Sequence, residues 1–287
     1  MTVSLKHAFT SIIGDSGDTS LVQPSNWNAE HTLTLAQGNI LGRLAAAGTG
    51  AATEIPLSFD ASNNVTFPGQ VNLVAGTTSI APLDFTSGSL LTSPVAGAVE
   101  YDGKVIYGTP QGTQRGVIPG IQFFRLNSNL AGANSSSAQS TFGVGVTLSS
   151  STVYKFQADF QLYKTAGTTS HTVSMLFAGT ATLNSIYYTV AIATGTTTQS
   201  NFVDTAVAEA VVNQATATVI NTASSTATLS RYYTMSGIVS VNAGGTFIPQ
   251  YQMSAAPGGA YSTMANSSIL IYPIGASGAN TSVGTWA

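Results

Sequence analysis

Three features of the 287-residue chain predict an all-β fold. Through Val153–Lys164 the side chains of Tyr154, Phe156, Ala158, Phe160 and Leu162 fall on one face, and those of Lys155, Gln157, Asp159, Gln161 and Tyr163 on the other. That is the period of a half-buried strand. From about Gly120 onward, runs rich in β-branched and aromatic residues recur between turns rich in Gly, Ser, Thr and Asn. Polarity is carried by hydroxyls and amides: 34 Ser and 39 Thr make up about a quarter of the chain, while charged residues account for 7%, against roughly 25% in an ordinary soluble domain. The expected architecture is an extended N-terminal anchor over residues 1–60, a short β-rich shaft over 61–120 and an antiparallel β-sandwich or jelly roll over 121–287.

Before residue 120 the apolar pieces are short: Ile12–Ile13, Leu33–Leu35, Ile40–Leu44, Ile55–Phe59, Val65–Phe67, Val71–Val74, Val99–Tyr101 and Val105–Tyr107. Turn signals such as Ser62-Asn63-Asn64 and Pro68-Gly69 separate them, and none closes a core alone. Ordering backbone costs roughly 1–2 kcal/mol per residue, so this region needs identical chains beside it, and a parallel bundle is the simplest geometry. Asp102-Gly103, flanked by Val99–Tyr101 and Lys104–Tyr107, predicts a hairpin with positive φ in its turn. Ala36–Ala47 is the one stretch with helical promise, a short helix at best, weakened by Gly38, Gly42 and Gly48 at about 1 kcal/mol each relative to Ala.

Beyond residue 120 the expected strands are Ile121–Leu126, Phe142–Leu148, Val153–Lys164, His171–Ala178, Ser185–Ala193, Ala206–Val212, Ala217–Asn221, Tyr232–Val241, Thr246–Met253 and Ser268–Ile274. Strands at such spacing argue for a sandwich or jelly roll, and the lack of a 20–50-residue repeat argues against a propeller or solenoid. From Thr165 to the end, the only charged or histidine side chains are His171, Asp204, Glu209 and Arg231. A soluble monomer keeps its surface charged against self-association, so this near-neutral half predicts an obligate oligomer.

Composition also bounds function. Eight Lys and Arg against eleven Asp and Glu give a net charge of −3 with no basic cluster, so counterion release has nothing to drive nucleic-acid binding. The chain has no cysteine, which removes disulfides, thiolate metal sites and thiol nucleophiles together. Apolar runs are strand-sized rather than membrane-spanning, and Met1–Thr10 does not lead into the long apolar region of a signal peptide.

No catalytic, cofactor or metal constellation is expected. Gly14-Asp15-Ser16-Gly17-Asp18 is similar to the nucleophile segment of trypsin-like serine proteases, but the His and Asp of a triad have no preceding domain to come from, so it reads as a turn-rich loop. His7, His31 and His171 stand singly; an ion would need three copies of one of them on a threefold axis, and ordinary hydrogen-bonded histidines are the favoured reading. A glycosidase would have to pair Asp159, Asp204 or Glu209 across a subunit boundary, and solvated turn acids are favoured for these.

Recognition falls to tyrosines and to one tryptophan. Tyr187, Tyr188, Tyr232, Tyr233, Tyr251 and Tyr261 are the receptor-contact candidates, since tyrosine stacks on a sugar face and hydrogen-bonds through its hydroxyl. Adjacent residues of a strand point to opposite faces, so at most one of each adjacent pair is expected outside, and core packing is the favoured role of each. Trp27, with Pro24, Asn26, Asn28 and His31, is the anchoring candidate, because a lone Trp among polar turn residues can plug into a partner; local packing within an oligomer is the alternative.

Leu5-Lys6-His7-Ala8-Phe9-Thr10 and Leu21–His31 together resemble the start of many tailed-bacteriophage fibre proteins, where this end is virion-proximal. Leu83–Gly103 looks like a linker-and-hairpin module that recurs in such chains ahead of a distal domain. Phe142–Leu148, Ala166–Val173 and Ala279–Ala287 are similar to distal domains of the same class. The resemblance implies a homotrimer with a tumour-necrosis-factor-like jelly roll, located on the virion surface and joined to other virion proteins through the N-terminal region. A structural protein contacting a host cell-surface glycan or protein is therefore expected, with affinity raised by avidity. The alternatives are a head fibre or decoration protein without a dedicated receptor, and a polysaccharide depolymerase with an inter-subunit site.

Overall fold

A computed structural model describes residues 2–5, 13–18, 23, 31–34, 40–42, 53–55, 58–59, 61–62, 64–67, 69–193, 208–212, 214–278 and 282–286. Regular structure among these residues is all strand, antiparallel, with no helix. The chain divides into two compact units, Met1–Asp84 and Phe85–Ala287.

Among the described residues of the first unit, the strands form two-stranded ladders. β1 (Thr2–Leu5) pairs with β2 (His31–Thr34), β3 (Ile40–Gly42) with β4 (Thr53–Ile55), and β5 (Ser58–Phe59) with β6 (Val65–Thr66). Within Ala36–Ala47, the stretch with helical promise, Ile40–Gly42 is extended and pairs with Thr53–Ile55, which corrects the helical expectation there; the rest of the stretch lies outside the described residues. Trp27, Pro24, Asn26 and Asn28 lie outside the described residues, and His31 is placed opposite Leu5 in the first ladder.

In the second unit, β7 (Val99–Tyr101), β8 (Ile106–Gly108) and β9 (Gly116–Ile118) form a three-stranded sheet. The expected hairpin is present with a wider turn, Tyr101 pairing with Ile106 around Asp102–Val105. One oxygen of Asp102 accepts the backbone N–H groups of Lys104 and Val105, both at 2.8 Å, and Gly103 supplies the positive φ of 89°.

Two facing sheets make the sandwich. One runs in the order β10 (Gln122–Arg125), β22 (Ser268–Ala276), β14 (Thr152–Lys164), β19 (Leu229–Ala243), β16 (Thr182–Ala193) and β17 (Ala208–Val212), with the two-residue β11 (Leu130–Ala131) and β21 (Ser262–Thr263) beside it. The other is β12 (Gln139–Ser140), β20 (Gly245–Met253), β15 (His171–Ala178) and β18 (Thr218–Ser224), with β13 (Val146–Leu148) also on β20. From β13 to β16, and again from β17 to β21, successive strands alternate between the two sheets.

Burial along β14 alternates as the sequence predicts, with Phe156, Phe160 and Leu162 fully enclosed. Aromatic rings join the sheets: Phe177 of β15 meets Tyr188 of β16 edge-on at 5.1 Å, and Phe156 of β14 lies 6.0 Å from Phe247 of β20. Each such buried ring contributes roughly 1.5–3 kcal/mol of apolar burial.

Candidate interaction surface

The alternation that buries one face of the large sheet defines the other. On β14 the outward residues include Lys155, Gln157 and Asp159; on β19 they include Tyr232, Thr234, Ser236 and Ile238. Register aligns them into rows: Tyr187 of β16 sits beside Ile238, then Lys155, then Tyr272 of β22. The next row places Phe123 of β10 beside Leu270 and Gln157. Phe123 is 62% exposed, Tyr187 54%, and Tyr232 and Ile238 46% each.

Of the six tyrosine candidates, the structure leaves two outside. Tyr187 and Tyr232 face solvent, while their neighbours Tyr188 and Tyr233 point into the core. Tyr233 stacks on Phe160 at 4.9 Å. Tyr251 and Tyr261 are also enclosed, so Tyr188, Tyr233, Tyr251 and Tyr261 are core residues and not surface contacts of this fold. Burial pushes the hydroxyls of Tyr188, Tyr233 and Tyr251 up to about 12. Tyr232 is pushed up more mildly, by burial first and by the Asp159 carboxylate that accepts its hydrogen bond.

Ser16 lies in a loop, its hydroxyl 3.1 Å from the Gln23 side-chain nitrogen that donates to it, and its backbone N–H donating to the same amide's oxygen. Asp159 faces solvent beside Tyr232; Asp204 lies outside the described residues, and Glu209 occupies β17 opposite Ala191. Among the described residues, no group of three His, Asp or Glu side chains is placed to hold a metal ion. His7 lies outside the described residues, and His171 is buried, its ring nitrogens 2.7 Å from the Thr169 carbonyl and 2.8 Å from the Tyr261 hydroxyl.

Two features escaped sequence reasoning. Lys164 is enclosed at the end of β14, its ammonium donating to the carbonyls of Thr226 (2.6 Å), Gly167 (2.7 Å), Ala166 (3.2 Å) and Ala227 (3.3 Å). Its place in the alternation, level with Leu162 and Phe160, is the signal that it points inward. The second is an apolar cleft of about 350 Å³ between β10 and β13, walled by Phe124, Phe142, Val146, Phe247, Ile269 and Ile271.

No family model matches the chain, and neither a curated protein nor a solved structure matches it.

Proposed function

We propose that this chain is a structural, non-enzymatic virion protein: a homotrimeric fibre or spike, anchored through residues 1–60, that carries the sandwich outward to the host surface. The observation that carries this reading is the segment between β6 and β7. No described residue there belongs to a strand, yet Phe67, Val71, Leu73, Val74, Ile80 and Leu83 are all exposed, Val74 at 83%. A folded monomer rarely leaves so many large apolar side chains in water, whereas equivalent chains running in parallel would cover them. The resemblance of Leu5–Thr10, Leu21–His31 and Leu83–Gly103 to phage fibre chains supports the same reading. Weak host contacts made by three sandwiches at once gain affinity from avidity.

Immunogold labelling of virions with antibody against residues 121–287 tests this. Label at the tail tip or baseplate is expected for an adsorption fibre. Label over the head makes the chain a head fibre or decoration protein, and unlabelled particles overturn the virion reading. Removing residues 1–35 should abolish incorporation, and normal incorporation would refute the anchor.

A further inference from the structure

We infer that the solvent face of the eight-stranded sheet is the surface on which a second copy of this chain packs, an inference that rests on the homo-oligomer proposed above. Phe123, Tyr187, Tyr232 and Ile238 stand exposed on this one face, with the half-buried Leu270 and Tyr272 between them. The face of the smaller sheet exposes only Val219 among its large apolar side chains.

Size fits a second copy. Six strands at ~4.8 Å spacing are about 24 Å across, and the paired length of β14 and β19 is about 40 Å, giving on the order of 900 Å² of sheet. The whole face is comparable to the about 800 Å² that one partner buries in a standard interface, and around a threefold axis each copy divides it between two neighbours.

Charge fits it as well. Lys155, Asp159 and Arg125 are charged side chains on this face, and the register places Glu209 of β17 in the same row as Asp159, so the four charges are two of each sign. Asp159 is engaged by Tyr232, and the Arg125 guanidinium donates to Asn266 at 2.5 Å and Asn127 at 2.8 Å. A highly charged partner would therefore bury its charges against hydroxyls, amides and rings. A copy of the same chain brings hydroxyls, amides and rings of its own, the charge-depleted and aromatic-enriched composition of an interface centre. Around a threefold axis, the β16–β19 half of one copy meets the β22–β10 half of the next.

Sedimentation equilibrium of the full chain tests this with Ile238→Lys on one half of the face, Phe123→Lys on the other, and Val219→Lys on the smaller sheet as control. The first two are expected to weaken association at least tenfold while circular dichroism and Tm stay near wild type, and Val219→Lys should keep the wild-type mass. Wild-type mass in both face variants overturns the inference. Dissociation by Val219→Lys alone moves the interface to the smaller sheet and leaves the homo-oligomer reading standing. A wild-type chain that is monomeric at every concentration sinks both. Should a lysine variant fail to fold, Tyr187→Cys supplies a single thiol in a chain without cysteine. That thiol should resist maleimide in the assembled protein and react in urea, and fast labelling of the assembly would count against the interface.

Discussion

His171 and Tyr261 tie the two sheets of the sandwich together through a 2.8 Å hydrogen bond between the imidazole Nε2 and the phenol oxygen. Nδ1 faces the Thr169 carbonyl at 2.7 Å, so in the neutral ring Nδ1 carries the proton and Nε2 accepts from the Tyr261 hydroxyl. Tyr261→Phe keeps the ring and strands a buried acceptor, which costs about 1–3 kcal/mol. Urea denaturation should show that loss with an unchanged m-value, and wild-type stability would mean the bond contributes nothing.

Lys164 closes the same end of the core. Four carbonyls from two segments, Ala166–Gly167 and Thr226–Ala227, converge on its ammonium, and the Tyr261 ring lies 5.8 Å away. Lys164→Met fills the stem's volume but leaves the carbonyls without their donor, so a loss of about 2–4 kcal/mol is expected. The two segments should also exchange their amide hydrogens faster than the rest of the sandwich. Uniform exchange would show that the ammonium does not hold them.

Much of the sandwich was legible because period-two patterning survives wherever a strand is long and covered on one face. His171–Ala178 was readable to the residue, and the opposite orientations of Tyr187 and Tyr188 follow from alternation alone. The two-residue strands β11, β12 and β21 carry no period to read, and only their pairing partners define them. Lys164 was missed because a lysine at a strand end reads as solvated, whereas here main-chain oxygens replace water. The exposed stripe through Ile238 required register between strands distant in sequence, which no local pattern encodes.

Gly237 marks where two strands come too close for a side chain. A Cβ there would lie 2.5 Å from both the Tyr187 carbonyl oxygen and the Tyr188 Cβ, and 2.6 Å from the Phe156 ring. Because one of these atoms is backbone, Gly237→Ala must push β19 from β16, and overpacking of this kind costs roughly 1–3 kcal/mol. Thermal denaturation should register the loss, and an unchanged Tm would show that the ladder adjusts freely.

Alkali should unfold the sandwich cooperatively. Tyr188, Tyr233 and Tyr251 are pushed by burial to about 12, whereas an unfolded tyrosine ionises near 10. Between those values the folded chain holds more protons than the unfolded one, so stability falls as pH rises, by up to about 2–3 kcal/mol per tyrosine. Lys164 works in the opposite sense, since burial holds its pKa below the ordinary lysine value and stability from it grows with rising pH. Three tyrosines outweigh one lysine, so a step of tyrosinate absorbance from the buried rings should accompany the loss of β signal above pH 10. Tyrosinate absorbance that is complete before the β signal is lost would contradict the burial.

The segment leading into the three-stranded sheet is held at Leu91 by an ion pair, between main-chain bonds from Gly88 N–H to the Tyr101 carbonyl (2.9 Å) and from Gly97 N–H to the Thr109 carbonyl (2.7 Å). Arg115 Nε donates to Glu100 Oε2 at 2.8 Å and its Nη2 to Oε1 at 3.2 Å, a bidentate geometry between side chains that are both largely enclosed. The same two groups grip Leu91 from both sides: its N–H donates to Glu100 at 2.6 Å, and its carbonyl accepts from Arg115 at 2.6 Å. Neither bond belongs to a ladder, so the chain around Leu91 keeps its course through these side chains and not through sheet pairing. Arg115→Lys retains the charge but loses the planar fork, and one ammonium reaching both the carboxylate and the carbonyl would have to give up part of one contact. Limited proteolysis should therefore cut near Leu91 several-fold faster in Arg115→Lys, and faster still in Glu100→Ala, while the main unfolding transition of the sandwich stays in place. If cleavage is as slow as in wild type, the Leu91 segment is held by something other than this pair. If the main transition falls as well, the pair supports the sandwich itself and not the approach to it.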